Sequence, residues 1–163
     1  MAAGIYQFTI EQGATLDFEI QYVDSTGTPV DLSGYSGFMQ IRSGISSSAD
    51  SVTYLTFSSS LGDTYIKEAG NSFLSFSGSS LTNPLSSGTI GVYAGYLATQ
   101  DVEFSGDAYY DLELTFSYEK KRLLEGKVYL SKQVTQDTPT NIEYMLWEDS
   151  GYLLLEDDFK IIL

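Results

Sequence analysis

Cysteine and histidine are both absent from this chain of 163 residues, and each absence removes a class of chemistry. Without cysteine there is no disulfide framework and no thiolate metal site. Without histidine there is no Ser-His-Asp or Cys-His arrangement, no histidine-rich zinc site and no general base that ordinarily titrates near neutral pH. We therefore expect a non-enzymatic protein that carries no cofactor.

Positive charge is also scarce, because 8 Lys and Arg residues face 22 Asp and Glu residues for a net charge of −14. Phosphate binding needs clustered cations that release counterions, so we expect no nucleic-acid partner. The one basic cluster is Lys120-Lys121-Arg122, predicted at a hairpin tip between Tyr118 and Leu123. It is either a solvated turn or a docking point for an acidic neighbour, and the acidic remainder favours basic partners.

Long apolar runs are missing as well, since none approaches the ~20 residues that cross a bilayer. The first six residues, MAAGIY, have no basic segment followed by an apolar one, so we expect no secretory signal and synthesis in the cytoplasm. What the chain does have is 42% apolar and 14% aromatic residues, which predicts a folded domain, and its length fits one domain with an appendage.

Alternation with a period of two dominates the first forty residues and predicts β-strands. Leu16, Phe18 and Ile20 alternate with acidic and polar residues, and a turn-forming cluster follows at 24–29. A further strand is predicted at 35–42, in which Phe38 and Arg42 lie on the face opposite Met39 and Ile41. We expect three consecutive antiparallel strands within residues 5–42.

A second strong hairpin is predicted from arms at 109–118 and 123–130, which we expect to cover the opening strands as the other half of a sandwich. Tyr109 or Tyr110 is expected to hydrogen-bond to a loop carbonyl. Between the hairpins we predict a strand from Val52, a hairpin of 64–68 with 72–76, a loop at 81–85 and a strand at 89–98. The glycines of that last strand indicate close approach by another backbone or a bulge, or accommodation of a ligand.

The final segment, 139–163, follows a linker that contains Pro139 and holds three apolar clusters separated by acidic turns. A meander this short cannot form its own core, so it either folds back or packs on a neighbouring subunit, and we favour the neighbour. The prediction is an immunoglobulin-like antiparallel β-sandwich at 1–138 with a short C-terminal meander or extended arm at 139–163. The expected interface residues are Tyr144, Leu146, Trp147, Tyr152, Leu154, Phe159 and Ile161.

Two ordered blocks of short motifs resemble a family of tailed-phage virion proteins, the upper baseplate proteins with an immunoglobulin-like N-terminal domain. The first block comprises Gly13, Thr15, Phe18, Ile20, Asp24, Gly27, PVDLSGY at 29–35 and MQIR at 39–42. The second comprises YYDLEL at 109–114, RLLEG at 122–126 and Val134-Thr135. The stretch 43–106 departs from the family by being longer and richer in Ser and Gly.

The resemblance implies a structural protein of a tailed-phage virion, in the tail or baseplate, assembled in the host cytoplasm with other virion proteins and with copies of itself. A capsid-decoration or neck protein and a carbohydrate-binding module for host recognition stay open as alternatives, as does a hydrolase with paired carboxylates. The acidic runs at 148–149 and 156–158 could offer oxygen ligands to calcium, but they lack the spacing of an ion-wrapping loop and are read as solvated turns.

Overall fold

The computed structural model describes residues 3–45, 51–59 and 65–134. In these residues two β-sheets pack face to face, and their strands are, in chain order, β1 (Gly4–Ile5), β2 (Phe8–Glu11), β3 (Leu16–Gln21), β4 (Tyr35–Arg42), β5 (Thr53–Ser59), β6 (Ser72–Ser75), β7 (Thr89–Ala94), β8 (Ala108–Phe116) and β9 (Glu119–Ser131). A 3₁₀ turn at Leu85–Ser87 and the short helix α1 (Tyr96–Gln100) complete the described elements. No helix in this part of the chain is long and apolar enough to cross a membrane.

The larger sheet has the order β1-β9-β8-β4-β5, with β2 also paired to β9, and the smaller sheet has the order β3-β7-β6. This division is that of a variable-type immunoglobulin sandwich, with β3, β6 and β7 in the B, D and E positions and β4, β5, β8 and β9 in the C, C′, F and G positions. The all-β, immunoglobulin-like fold class is therefore confirmed. Within it the larger sheet is mixed, because β1 and β2 run parallel to β9, and the smaller sheet is antiparallel.

The core lies between the sheets and draws on both. Met39, Ile41 and Leu112 of the larger sheet meet Leu74 and Ile90 of the smaller one, and all five side chains are buried. These residues occupy alternate positions along their strands, as the period-two pattern predicts. The alternation thus places the core correctly.

The predicted pairing of the opening strands is wrong. β2 pairs with β9, β3 pairs with β7, and β4 pairs with β5 and β8, so the three strands do not pair with one another. The chain changes sheets at residues 12–15, between the buried Ile10 of the larger sheet and Phe18 of the smaller one. As a result the β8–β9 hairpin lies beside β4 in one sheet, and of the opening strands only β3 lies opposite it.

Four smaller predictions in the middle of the chain also need correction. Residues 65–68 form no strand, and β6 pairs with β7 instead of closing a local hairpin. The strand predicted at 89–98 ends at Ala94, because Gly95 caps the start of α1. The predicted loop at 81–85 is one residue too long, because its last residue, Leu85, begins the 3₁₀ turn after Pro84. Residues 51–52 lie outside β5, which starts at Thr53.

A β-bulge in the β8–β9 hairpin decides which side chains of β9 face outward. Leu112 pairs with Leu124 and the next residue, Glu113, pairs with Arg122, which leaves Leu123 as the extra residue. Leu123 and Leu124 consequently both pack on the core, although they are adjacent in sequence. The bulge turns Arg122 to the outer face.

The smaller sheet is covered by protein on its outer face along β6 and β7, whereas the outward residues of β3 are exposed. Its central strand β7 is buried at every residue, because loops of the chain lie on the outer face. A Cβ atom at Gly91 would lie 2.5 Å from the backbone carbon of Gly78, and one at Gly95 would meet the backbone of residues 68–69. The prediction that these glycines mark close approach by another backbone is confirmed.

Candidate interaction surface

The outer face of the larger sheet carries three rows of side chains, set by the strand registers. The basic row comprises Arg42, Tyr109 and Lys127; the acidic row comprises Gln40, Asp111 and Glu125; the mixed row comprises Phe38, Glu113 and Arg122. Each row runs from β4 through β8 to β9, and successive rows lie about 7 Å apart along the strands. We call these nine residues the open face.

Ion pairs cross the open face in several directions. The Nε atom of Arg122 lies 3.2 Å from Oδ2 of Asp111, and its terminal nitrogen lies 3.0 Å from Oε2 of Glu125. Lys120 Nζ lies 2.8 Å from Glu113 Oε2. All of these side chains keep part of their surface in water, so each pair contributes little to stability alone.

The charges on the open face are not all balanced locally. Asp111 and Glu125 share the single guanidinium of Arg122, which leaves the acidic row with surplus negative charge. Arg42 donates to the side-chain and backbone oxygens of Ser51, neither of which is charged. The face therefore presents surplus charge of both signs in neighbouring rows.

The pKa of Asp111 is raised above the ordinary value of an aspartate. Burial among neighbouring side chains is the largest cause, because it disfavours the charged carboxylate. The guanidinium of Arg122 opposes this effect, while the carboxylates of Glu113 and Glu125 reinforce it. The acidic row is thus an unfavourable place for another negative charge and a favourable one for a cation.

An open groove of ≈ 650 Å³ runs over this face. Its walls include two strongly exposed apolar side chains, Ile5 at 78% and Ile45 at 84%, together with the half-exposed ring of Phe38. Ile5 belongs to edge strand β1, and Ile45 follows β4. The charged rows therefore have exposed apolar side chains at their margins.

The predicted position of the basic cluster is wrong. The turn of the hairpin is at residues 117–118, so Lys120, Lys121 and Arg122 all belong to strand β9. Lys121 points inward, where its Nζ donates to the hydroxyl of Tyr22 at 2.5 Å and lies 4.9 Å from the centre of that ring. With Lys120 and Arg122 paired to carboxylates, the cluster is no free docking point for an acidic neighbour.

The predicted hydrogen bond from a tyrosine of the second hairpin is confirmed. The hydroxyl of Tyr110 donates to the backbone carbonyl of Tyr6 at 3.0 Å, in the link between β1 and β2. Burial is the main reason that the pKa of Tyr110 is raised to about 12, and the Tyr6 hydroxyl adds to the effect. This bond holds the β1–β2 segment against the edge of the larger sheet.

The seven interface residues predicted from sequence all lie in 139–163, outside the described residues, and the acidic runs considered for calcium lie there too. In the described ranges, no three acidic side chains gather in a way that could hold a metal ion. Sequence reasoning did not select the open face as a site. The sequence did contain a signal for this face, because Phe38, Gln40 and Arg42 alternate with the core residues of the same strand and must therefore point away from the core.

Comparison with known proteins adds little beyond the fold. No protein-family model and no curated protein matches this chain. Among solved structures, one similar chain is a marsupial T cell receptor, with 10% sequence identity and a TM-score of 0.40. The match covers 82% of this chain and 52% of the receptor chain, so this chain spans about half the length of that structure.

Proposed function

We propose that this chain is a non-enzymatic structural protein of a tailed-phage virion, placed in the tail or baseplate. The observation that carries the proposal is where the family-like motifs lie in the fold. The first block includes β3, the turn at 24–29 and β4, and the motifs of the second block at 109–114 and 122–126 lie on β8 and β9. Motifs far apart in sequence thus contribute strands to one immunoglobulin-like sandwich, the domain type that the resemblance implies.

Assembly through strand edges is supported by the position of β3. It pairs with β7 on one side, and no strand of the described chain pairs with its other side. A six-residue edge of this kind offers backbone groups to an added strand. We propose that partners, including other virion proteins and copies of this chain, use such edges together with the segment 139–163.

Protein partners are favoured over nucleic acid by the state of the cations on β9. Lys120 and Arg122 pair with carboxylates on the sheet, and Lys127 and Lys132 pair with Asp107 and Glu103 at 2.5 and 3.0 Å. A phosphate backbone would have to displace these carboxylates before it could release counterions. A protein partner that carries both signs of charge can bind beside these pairs without removing them.

Labelling of intact particles tests the virion assignment. An antibody against this chain, bound to gold, should mark the tail tip of tailed particles produced by cells that carry the gene. Gold on the capsid or at the neck would move the protein to a decoration or neck position instead. Purified particles that contain none of the chain by mass spectrometry would overturn the proposal.

Deletion of residues 140–163 tests the predicted role of the C-terminal segment. We expect the shortened chain to remain folded but to be missing from particles. The matched control replaces the acidic residues at 156–158 with their amides, which keeps the apolar clusters and should preserve incorporation. Normal incorporation of the shortened chain would show that this segment is not needed.

A carbohydrate ligand is the second candidate, and the groove on the open face is the observation that favours it. Phe38 and Tyr109 line it beside Asp111, and aromatic rings with polar groups are what a sugar-binding groove uses. Saturable binding of the isolated protein on a glycan array would support this candidate. Release of reducing ends from a bound polysaccharide would instead show hydrolase activity.

A further inference from the structure

We propose that the open face of the larger sheet binds the same face of a second copy of this chain. The two copies are related by a two-fold axis that runs parallel to the rows and lies midway between the basic row and the acidic row. This inference concerns self-association of the isolated protein and does not depend on the virion assignment.

Charge distribution is the first argument for a second copy as the partner. Two molecules with a net charge of −14 repel each other over most of their surfaces. Around the open face, however, four acidic side chains meet four basic ones: Asp107, Asp111, Glu113 and Glu125 with Arg42, Lys120, Arg122 and Lys127. Half of the chain's eight cationic residues are therefore gathered here, beside four carboxylates of the residues that the structure describes. On this face two copies can approach without net repulsion.

The order of the rows is the second argument. A two-fold axis along the rows maps each strand onto the same strand of the partner and exchanges the basic row with the acidic row. Lys127 of one copy then faces Glu125 of the other, and the same pair forms a second time by symmetry. The surplus positive charge of Arg42 likewise comes close to the partner's acidic row.

Apolar surface at the margins is the third argument. Ile5 and Ile45 are exposed in the single chain, and a second sheet stacked about 10 Å away would cover them. The smaller sheet offers no comparable surface, because loops of the same chain cover its outer face along β7 and its exposed edge strand β3 turns only Asp17, Glu19 and Gln21 outward. The open face is consequently the sheet surface left for another molecule.

Charge exchange between Lys127 and Glu125 tests the proposal in the full chain. Sedimentation equilibrium should show a dimer for the native protein. Lys127→Glu alone and Glu125→Lys alone should each weaken the dimer at least ~10-fold, because each places like charges opposite one another. An equimolar mixture of the two variants should restore it, and so should both changes in one chain, since opposite charges then face each other again.

Restoration separates a specific contact from general damage, because misfolded variants would not recover on mixing. Asp101→Lys is the matched control: it changes the net charge as Glu125→Lys does, but Asp101 caps the end of α1 and does not line the groove on the open face. It should leave the dimer unchanged. A native protein that is monomeric at ~100 µM, or a dimer that neither single variant weakens, would overturn the proposal.

Discussion

The two sheets of this sandwich differ in what covers their outer faces. On the smaller sheet, the rings of Tyr65, Phe73 and Tyr93 stack at centroid distances of 5.2 and 5.0 Å, and Lys67 lies over Tyr93 and pairs with Asp17. On the larger sheet, the outer residues are mostly polar or charged, with the ring of Phe38 among them, and they meet water. The chain's own loops therefore cover β7 on one face, while the open face is exposed to solvent.

This difference between the two faces shows what residues 43–106 contribute to the fold. Residues within 43–106 supply the loops that lie over β7 in the smaller sheet. These loops need glycine beneath them, at Gly91 and Gly95, because a side chain would strike their backbone. This part of the chain thus buries the outer face of β7, and we expect recognition to take place on the larger sheet.

Truncation of one phenylalanine on each face should give the largest contrast. Phe73 is 9% exposed and Phe38 is 43% exposed. We expect Phe73→Ala to lower the free energy of unfolding by about 3–4 kcal/mol, because it removes a buried ring and leaves a cavity. Phe38→Ala should lower it by less than about 1 kcal/mol. Urea denaturation measures both, and equal losses would break the comparison.

A methyl group added beneath the covering loop should be the next most damaging change. Gly91→Ala puts a Cβ atom 2.5 Å from the backbone of Gly78, which must move away. We expect a loss of about 2–3 kcal/mol in the free energy of unfolding. The control is Gly70→Ala, where a Cβ atom would have nothing within 4 Å and the change should stay within about 0.5 kcal/mol. If the alanine at 91 is tolerated, the loop does not lie on the sheet.

Removal of the Tyr110 hydroxyl should have an intermediate effect at the edge of the larger sheet. Tyr110→Phe leaves the Tyr6 carbonyl without its donor and should cost about 1–2 kcal/mol. Because the folded pKa of Tyr110 is about 12, the unfolded chain loses this proton first as the pH rises. Native stability should therefore fall between about pH 10 and about pH 12. That part of the fall should be absent in Tyr110→Phe.

The smallest effect is expected at Asp111 on the open face. Its raised folded pKa means that the native protein binds this proton at a pH where the unfolded chain has released it. The free energy of unfolding therefore falls as the pH rises through the range in which the unfolded chain has released this proton and the native protein has not. At pH 7 the native protein carries the full cost of the ionised, partly buried carboxylate of Asp111. Asp111→Asn should raise the melting temperature slightly at pH 7 and give no gain in acid. A lower melting temperature at pH 7 would show that the Arg122 pair outweighs burial.

The sequence was sufficient to predict the fold class and much of the core, because alternation marks which side of a strand is buried. Residues such as Met39, Ile41 and Leu112 follow directly from it. Pairing could not be predicted in the same way, since β2, β3 and β4 show similar alternation whether they neighbour one another or not. Contacts over about 120 residues decide that β2 joins β9.

The open face could be predicted only in part. The outward parity of Phe38, Gln40 and Arg42 is visible in the sequence. The outward position of Arg122 depends on the bulge at Leu123, which shifts the alternation of β9 by one residue. Without that shift the ion pairs of Arg122 with Asp111 and Glu125 cannot be anticipated, and the basic cluster is read as a turn.

Hydroxyl-radical footprinting of the full chain, at low and high protein concentration, tests the central contrast most directly. It reports the solvent access of individual aromatic rings. We expect Phe73 and Tyr93 to be protected at both concentrations, while Phe38 and Tyr109 react in dilute protein and become protected as the concentration rises. Reaction of Phe73 and Tyr93 as fast as Phe38, or unchanged reaction of Phe38 and Tyr109 at high concentration, would contradict the account.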